Sequence, residues 1–140
     1  MTAKACQFCA IVAGTEPASI VRRGPLLTSF LDSRPVFRGH VLIVPNLHID
    51  DFEGLPAELC GPLLQEGKAV AKALEQAAGA QGAFVALNHR VSQSVPHLHL
   101  HVVPRSKKDG LRGFFWPRTS YETTAQRDEL AARIAEALPV

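Results

Sequence analysis

The chain has no apolar run near the roughly 20 residues that would span a bilayer, which sets a transmembrane helix aside. It also has little net charge. Fifteen Lys and Arg against thirteen Asp and Glu leave +2, too little to argue for nucleic-acid or membrane binding in bulk. Repeats, low-complexity tracts and a dividing linker are absent, so residues 1–140 are read as a single domain of ordinary size. The N-terminal MTAKACQFCAIVAG has one lysine and a short apolar piece broken by Gln7 and two cysteines. That makes a poor signal peptide, and the expectation is a cytoplasmic protein. Three cysteines make no disulfide framework. The remaining composition, 46% hydrophobic and 20% charged, is that of an ordinary globular chain.

Against this plain background stands SVPHLHLHVVPR, residues 94–105, with three of the six histidines. Side chains alternate faces along an extended chain, so His97, His99 and His101 form one stripe while Leu98, Leu100 and Val102 fill the opposite face. An amphipathic strand whose polar side is histidine by chance would look the same. Histidine, however, is the side chain best suited to act as base, acid, nucleophile or metal ligand near neutral pH, and its tripling in phase points to chemistry.

The rest of the chain supplies a frame. SIVRR (19–23) and LLTSFLD (26–32) read as a hairpin turned at Gly24-Pro25, and HVLIVP (40–45) as a buried central strand stopped by proline. Pro56 opens a helix with Leu59, Leu63, Val70, Leu74 and Ala78 on one face, and Gly79 stops it. GAFVALN (82–88) and the histidine segment are two further strands. Thr123 and Gln126 resemble a capping box for a last helix bearing Leu130, Ile134 and Leu138. The fold expected is α+β: a mostly antiparallel, five-stranded sheet with two helices.

Cys6 and Cys9 form a C-x-x-C pair with three readings. They are a redox pair, although a redox motif should follow the first strand of a βαβ unit; or small core residues; or half a metal site. Structural zinc wants four N/S ligands, and His48 and His97 are candidates for the other two. Cys60, inside the predicted first helix, is assigned to the core.

The pattern VPHLHLHVVPR resembles the histidine triad family of nucleotide hydrolases and transferases. CQFCAIVAGTEPASIV, LTSFLDSRPVFRGHVLIVPNLHI and LNHRVSQSVPHLHLHVVPR extend the resemblance over roughly residues 6–105, leaving 106–140 as a basic loop and helix. The resemblance implies a homodimer in which the sheet continues into a twofold-related copy. It implies that His99 attacks an α-phosphorus to give a nucleotidyl-histidine, with His101 on a phosphate oxygen, Ser94 at the phosphate or leaving group, and His40 in support. It also implies Asp32 at the ribose, Phe8, Ile11, Phe30 and Leu31 around a purine base, Asn88 at the ribose or phosphate, and the Gln93–Ser94 backbone cradling the phosphate. Some bacterial members pair a C-x-x-C with histidines at the positions of His48 and His97, so structural zinc on Cys6, Cys9, His48 and His97 follows. One departure is Val91-Ser92-Gln93, where many members carry Ala-Gly-Gln.

The substrate class implied is a purine nucleotide, with an amine or the rest of a dinucleoside polyphosphate as leaving group. Arg105, Lys107, Lys108, Arg112 and Arg118, near Trp116, would receive distal phosphates or form a solvated loop. Two other classes keep the same residues: a hydrolase that uses the histidine stripe to ligate a catalytic metal, and a nucleotide-binding protein without turnover. No nucleic-acid or membrane partner is expected.

Overall fold

The protein's structure, a computed structural model, describes residues 5–111 and 118–139. The chain divides into two compact units, Met1–Asp109 and Gly110–Val140; the candidate catalytic, nucleotide and metal residues lie in the first, and Arg112, Trp116 and Arg118 fall in the second.

That unit runs α1 (Gln7–Ala13), β1 (Ile20–Arg23), β2 (Leu27–Leu31), β3 (Val41–Pro45), α2 (Ala57–Ala77), β4 (Gly82–Ala86) and β5 (Leu100–Arg105). The five strands form one antiparallel sheet in the order β1-β2-β3-β5-β4. The continuous apolar reading of β3 has a simple cause, because both faces of this central strand are covered. Val41 and Ile43 point into a core with Leu59, Leu63, Val70 and Leu74 of α2. Leu42 and Val44 point the other way, to Phe8 and Ile11 of α1 and Phe30 of β2. Ile43 is wholly buried, so truncating it to alanine is expected to cost about 2–5 kcal/mol.

The helix α2 seats on the sheet where Gly67 faces β5. A Cβ there would come within 3.1 Å of a Leu100 methyl, so glycine permits the close approach. Two details of the helix differ from the sequence reading. Ala78 is its exposed C-cap, and Cys60, assigned to the core, is exposed on its outer side. Both fall off the stripe that Leu59, Leu63, Gly67, Val70 and Leu74 bury.

The sequence reading also lacked α1, giving two helices where the structure has three. This helix is seven residues long, and its cap is a cysteine: the Cys6 thiol accepts from the Cys9 N–H at 3.4 Å. Gly14, at φ +81°, closes the helix with its N–H on the carbonyls of Ala10 and Ile11. The second unit contains α3 (Thr124–Ala137), where the Thr123 hydroxyl accepts from the Gln126 N–H at 3.0 Å and the Gln126 side chain accepts from the Glu122 N–H at 2.9 Å. Arg112 and Trp116 lie outside the described residues.

Candidate active site and metal centre

The strand expected through the three histidines begins only at Leu100. In the register that pairs Leu100 with Ile43, Leu98 would meet Pro45, which has no N–H to give. The Leu98 N–H instead donates to the Ile49 carbonyl at 2.7 Å, and the Pro45 carbonyl accepts from the His97 ring at 2.8 Å. The alternation nonetheless persists: Leu98, Leu100 and Val102 enter the α2-side core, while the His99 and His101 rings lie 4.9 Å apart.

The backbone fixes the proton on each ring. The Nδ1 of His99 lies 2.9 Å from the His97 carbonyl, which can only accept, so Nδ1 carries the hydrogen and Nε2 holds a lone pair. His40 is set by its opposite edge. Its Nδ1 accepts from the Val36 N–H at 3.1 Å, which leaves Nε2–H to donate to His101 Nδ1 at 2.9 Å. His101 must then carry its own hydrogen on Nε2. The Asp32 carboxylate, 3.7 Å from His40 Nδ1, is too far for a hydrogen bond and acts on the ring as a nearby charge. Burial pushes the pKa of His40 and His99 below the ordinary imidazole value, against the raising effect of Asp32 on both and of the His97 carbonyl on His99. His101 is lowered to about 4 by burial first and then by His99 and His40. At neutral pH the cluster is therefore uncharged, presenting one nucleophilic lone pair beside one N–H donor.

These two rings line a cavity of about 1020 Å³. One wall is apolar, formed by Phe8, Ile11, Phe30, Leu31 and Leu42. The Phe8 ring meets Phe30 edge-on at 5.4 Å and His99 at 5.1 Å, so the same side chain bounds the apolar wall and the His99 ring. Ser94 and Asp32 complete the polar side, with Ser33 and Arg34 beside Asp32. One Asp32 oxygen accepts from the Arg34 N–H at 2.9 Å. Of the predicted site residues, Phe8, Ile11, Phe30, Leu31, Asp32, Ser94, His99 and His101 are thus brought to one cavity, with His40 behind His101. Asn88 and Gln93 are not in its wall, and neither are Arg105, Lys107 or Lys108. Arg105 is engaged by both Asp109 carboxylate oxygens, at 2.5 and 3.1 Å.

Cys6 Sγ, Cys9 Sγ, His48 Nδ1 and His97 Nδ1 all lie within 4.8 Å of one another. The sulfur–nitrogen separations are 3.3 Å for Cys6–His97, 3.5 Å for Cys9–His97 and 3.2 Å for Cys9–His48. Tetrahedral zinc, with bonds of about 2.3 Å to sulfur and 2.0–2.1 Å to nitrogen, sets its sulfur and nitrogen ligands about 3.5 Å apart. The donor set fits zinc in identity as well as spacing. His97 gives its Nε2–H to the Pro45 carbonyl and His48 gives its Nε2–H to Asp50 at 2.7 Å, so both Nδ1 lone pairs face the thiols. Without a cation, burial and the neighbouring Cys6 push the Cys9 thiol up to about 11, so metal binding there must release protons. A second group, Asp32, His40 and His101, also gathers potential ligands. Its two imidazoles are bonded to each other, and the remaining His40 nitrogen is held by a backbone N–H.

The loop before the triad is held in an uncommon shape. Arg90 and Ser92 have φ of +67° and +62°, a left-handed conformation costing a non-glycine residue about 1–3 kcal/mol. A glycine at position 92 would adopt this conformation without that cost. Asn88 spends its amide N–H on the Ser92 carbonyl at 3.0 Å. Gln93 accepts from the Arg90 N–H at 3.1 Å and donates to the carbonyls of Asp50 and Val95 at 2.6 and 3.1 Å. Both amides therefore shape the loop.

Sequence reading did not find Val36 and Pro45 because they act through backbone atoms, which leave no side-chain signature. Asp50, two residues after His48, carried a signal: an acid near a metal-ligand histidine commonly orients it.

Comparison with known proteins agrees with this geometry. Residues 13–108 match the HIT domain family. An adenosine 5'-monophosphoramidase of Schizosaccharomyces pombe is 31% identical over 134 residues, 92% of this chain and 98% of the relative. An adenylylsulfatase of Arabidopsis thaliana is 28% identical over 108 residues, 76% of this chain and 55% of the relative. A zinc-bound histidine triad family protein of Mycobacterium smegmatis, solved by crystallography, superposes with a TM-score of 0.75 at 32% identity, covering 98% of this chain and all of that one. The chain belongs to the histidine triad, or HIT, family.

Proposed function

We propose that the protein is a nucleotide hydrolase or nucleotidyl transferase that cleaves at the α-phosphate of a purine nucleotide through a covalent intermediate on His99. The observation that carries the reading is the tautomer of His99: its Nε2 lone pair stands in the cavity wall while Nδ1–H is held by the His97 carbonyl. Nε2 attacks phosphorus, the bond to the leaving group breaks with its electron pair, and the leaving group takes a proton from water while the Ser94 hydroxyl donates a hydrogen bond to the phosphate or to the departing atom. The ring gains positive charge as the new bond forms, and the His97 carbonyl stabilises it. His101 Nε2–H donates to a non-bridging oxygen where negative charge builds up. Water then attacks the nucleotidyl-histidine and frees both the nucleotide and His99. Phe8, Ile11, Phe30 and Leu31 enclose the base, and Asp32 accepts from the ribose hydroxyls.

The names of two relatives support an adenylyl substrate with a variable leaving group, an amine in one and sulfate in the other. Zinc on Cys6, Cys9, His48 and His97 is part of the proposal, in a structural role supported by the donor spacing and by the zinc-bound relative. It would supply a fixed crosslink between α1 and the segments holding His48 and His97. A homodimer in which the sheet continues into a twofold-related copy completes the reading, checked by light scattering of the purified protein.

The test is turnover of an adenosine phosphoramidate, an adenylyl sulfate and diadenosine tetraphosphate by the native chain and by His99→Ala, with metal content and fold verified in both. Turnover by the native chain, lost in the folded variant, is expected. Equal turnover by both overturns the assignment of His99. Loss of turnover on chelation from a protein that stays folded would favour catalytic metal instead.

A further inference from the structure

The left-handed loop of residues 88–94 is tied at two points to a segment distant in sequence. Gln93 Nε2 donates to the Asp50 carbonyl at 2.6 Å. The Arg90 guanidinium reaches Asp51 at 2.9 Å and Glu53 at 2.7 Å. None of these side chains lines the cavity, whereas Ser94, the next residue in the loop, does. The loop must therefore hold two non-glycine residues at positive φ, four and two positions before a serine that lines the cavity. Such a conformation persists only where surrounding bonds over-determine it.

We infer that Arg90 and Gln93 are positioning residues, which set Ser94 against the phosphate by tethering its loop to Asp50 and Asp51. The inference rests on the proposed reaction at His99 and adds to it the part of the molecule that fixes the partner group's place. Exposure decides what Arg90 can do. Its side chain is 60% exposed, and exposed ion pairs add little to global stability. The consequence of losing it is thus local, a loop free to leave its strained conformation and carry Ser94 with it. Asp50 adds a link, since its carboxylate accepts from His48 while its carbonyl holds Gln93. The metal site and the loop thereby share one residue.

The experiment compares native protein, Arg90→Ala, Arg90→Lys, Gln93→Ala, Ser94→Ala and the double variant Arg90→Ala/Ser94→Ala. It reads kcat and KM for an adenosine phosphoramidate, bound zinc, Tm, and hydrogen exchange of the 89–95 amides. Arg90→Ala is expected to lower kcat by about ten- to a hundredfold, with zinc and Tm at native values and faster exchange confined to the loop. Arg90→Lys recovers part of the loss, Gln93→Ala shows the same pattern as Arg90→Ala, and the double variant is no slower than Ser94→Ala alone. Native kcat in Arg90→Ala, losses that multiply in the double variant, or a loss that follows zinc or Tm overturns the positioning role. If the native protein turns over none of the nucleotides, the reaction itself fails; loop exchange still reports whether the tether exists, so the two failures are separable.

Discussion

His97 and His99 are two residues apart in sequence, both buried at 0% and 4% exposed, and both packed against Phe8, yet they present opposite nitrogens to two different sites. A carbonyl takes the Nε2–H of His97 and turns Nδ1 toward two thiols; another carbonyl takes the Nδ1–H of His99 and turns Nε2 toward the cavity. Residue type and burial are shared, so the difference in role comes from which edge of each ring the backbone has claimed. A buried histidine acquires its chemistry from its acceptor.

The largest effects separate the two residues completely. His99→Ala is expected to lower turnover by about a thousandfold or more and to keep zinc. His97→Ala is expected to lose zinc and to lower Tm on the order of 10 °C, while retaining the backbone carbonyl that orients His99 and so part of the turnover at low temperature. Metal analysis, thermal denaturation and kinetics on the same two variants check this. A His97→Ala protein with native zinc and Tm would break the comparison.

Next in size is the pair beside the proposed nucleophile. His101→Ala removes a donor to developing negative charge and is expected to reduce kcat by about a hundredfold. His40→Ala removes only the group that fixes the proton on His101, so a reduction of about tenfold is expected, visible in steady-state kinetics. Loss of equal size in both would mean that His40 touches substrate itself.

A smaller effect follows from charge. Burial lowers His101 in the fold from 6.5 to about 4, so below pH 6.5 the unfolded chain binds a proton that the folded chain declines. The stability from this residue is therefore fully present above about pH 6.5 and is lost as pH falls toward 4. Denaturant titrations between these limits should show native stability falling with acid, and His101→Gln should flatten the slope. The smallest effect concerns the third cysteine. Alkylation of the zinc-loaded protein should modify exposed Cys60 alone and leave turnover within about twofold of native, whereas chelation should open Cys6 and Cys9 to the reagent.

Much of this arrangement was legible in the sequence, because period-two alternation survives even where a strand does not form. His97 and His99 precede β5, yet their side chains keep to the face that the alternation assigns. The candidate metal cluster of Cys6, Cys9, His48 and His97 was legible through residue type, since two cysteines and two histidines are a known preference of zinc. What stayed hidden depends on partners with no side-chain signature. Pro45 ends the ladder because it lacks an N–H, and its carbonyl then becomes the anchor for His97. The helix α1 escaped notice because its cap is a cysteine that doubles as a prospective ligand. The resemblance implies Asn88 at the ribose or phosphate and the Gln93 backbone at the phosphate; neither residue lines the cavity, and both side chains bond within a loop that holds Arg90 and Ser92 at positive φ, a backbone feature with no sequence signature. Cys60 read as core because cysteine usually is, while the helical stripe through Leu59 and Leu63 leaves it outside.

The most direct test of covalent chemistry at His99 is rapid acid-free quenching during turnover of an adenosine phosphoramidate, followed by mass spectrometry of the peptide spanning residues 94–105. Neighbouring nitrogens that differ only in their acceptors predict a single adenylyl group, on His99 and absent from His97 and His101. Turnover with no adduct, or an adduct on either neighbour, would contradict it.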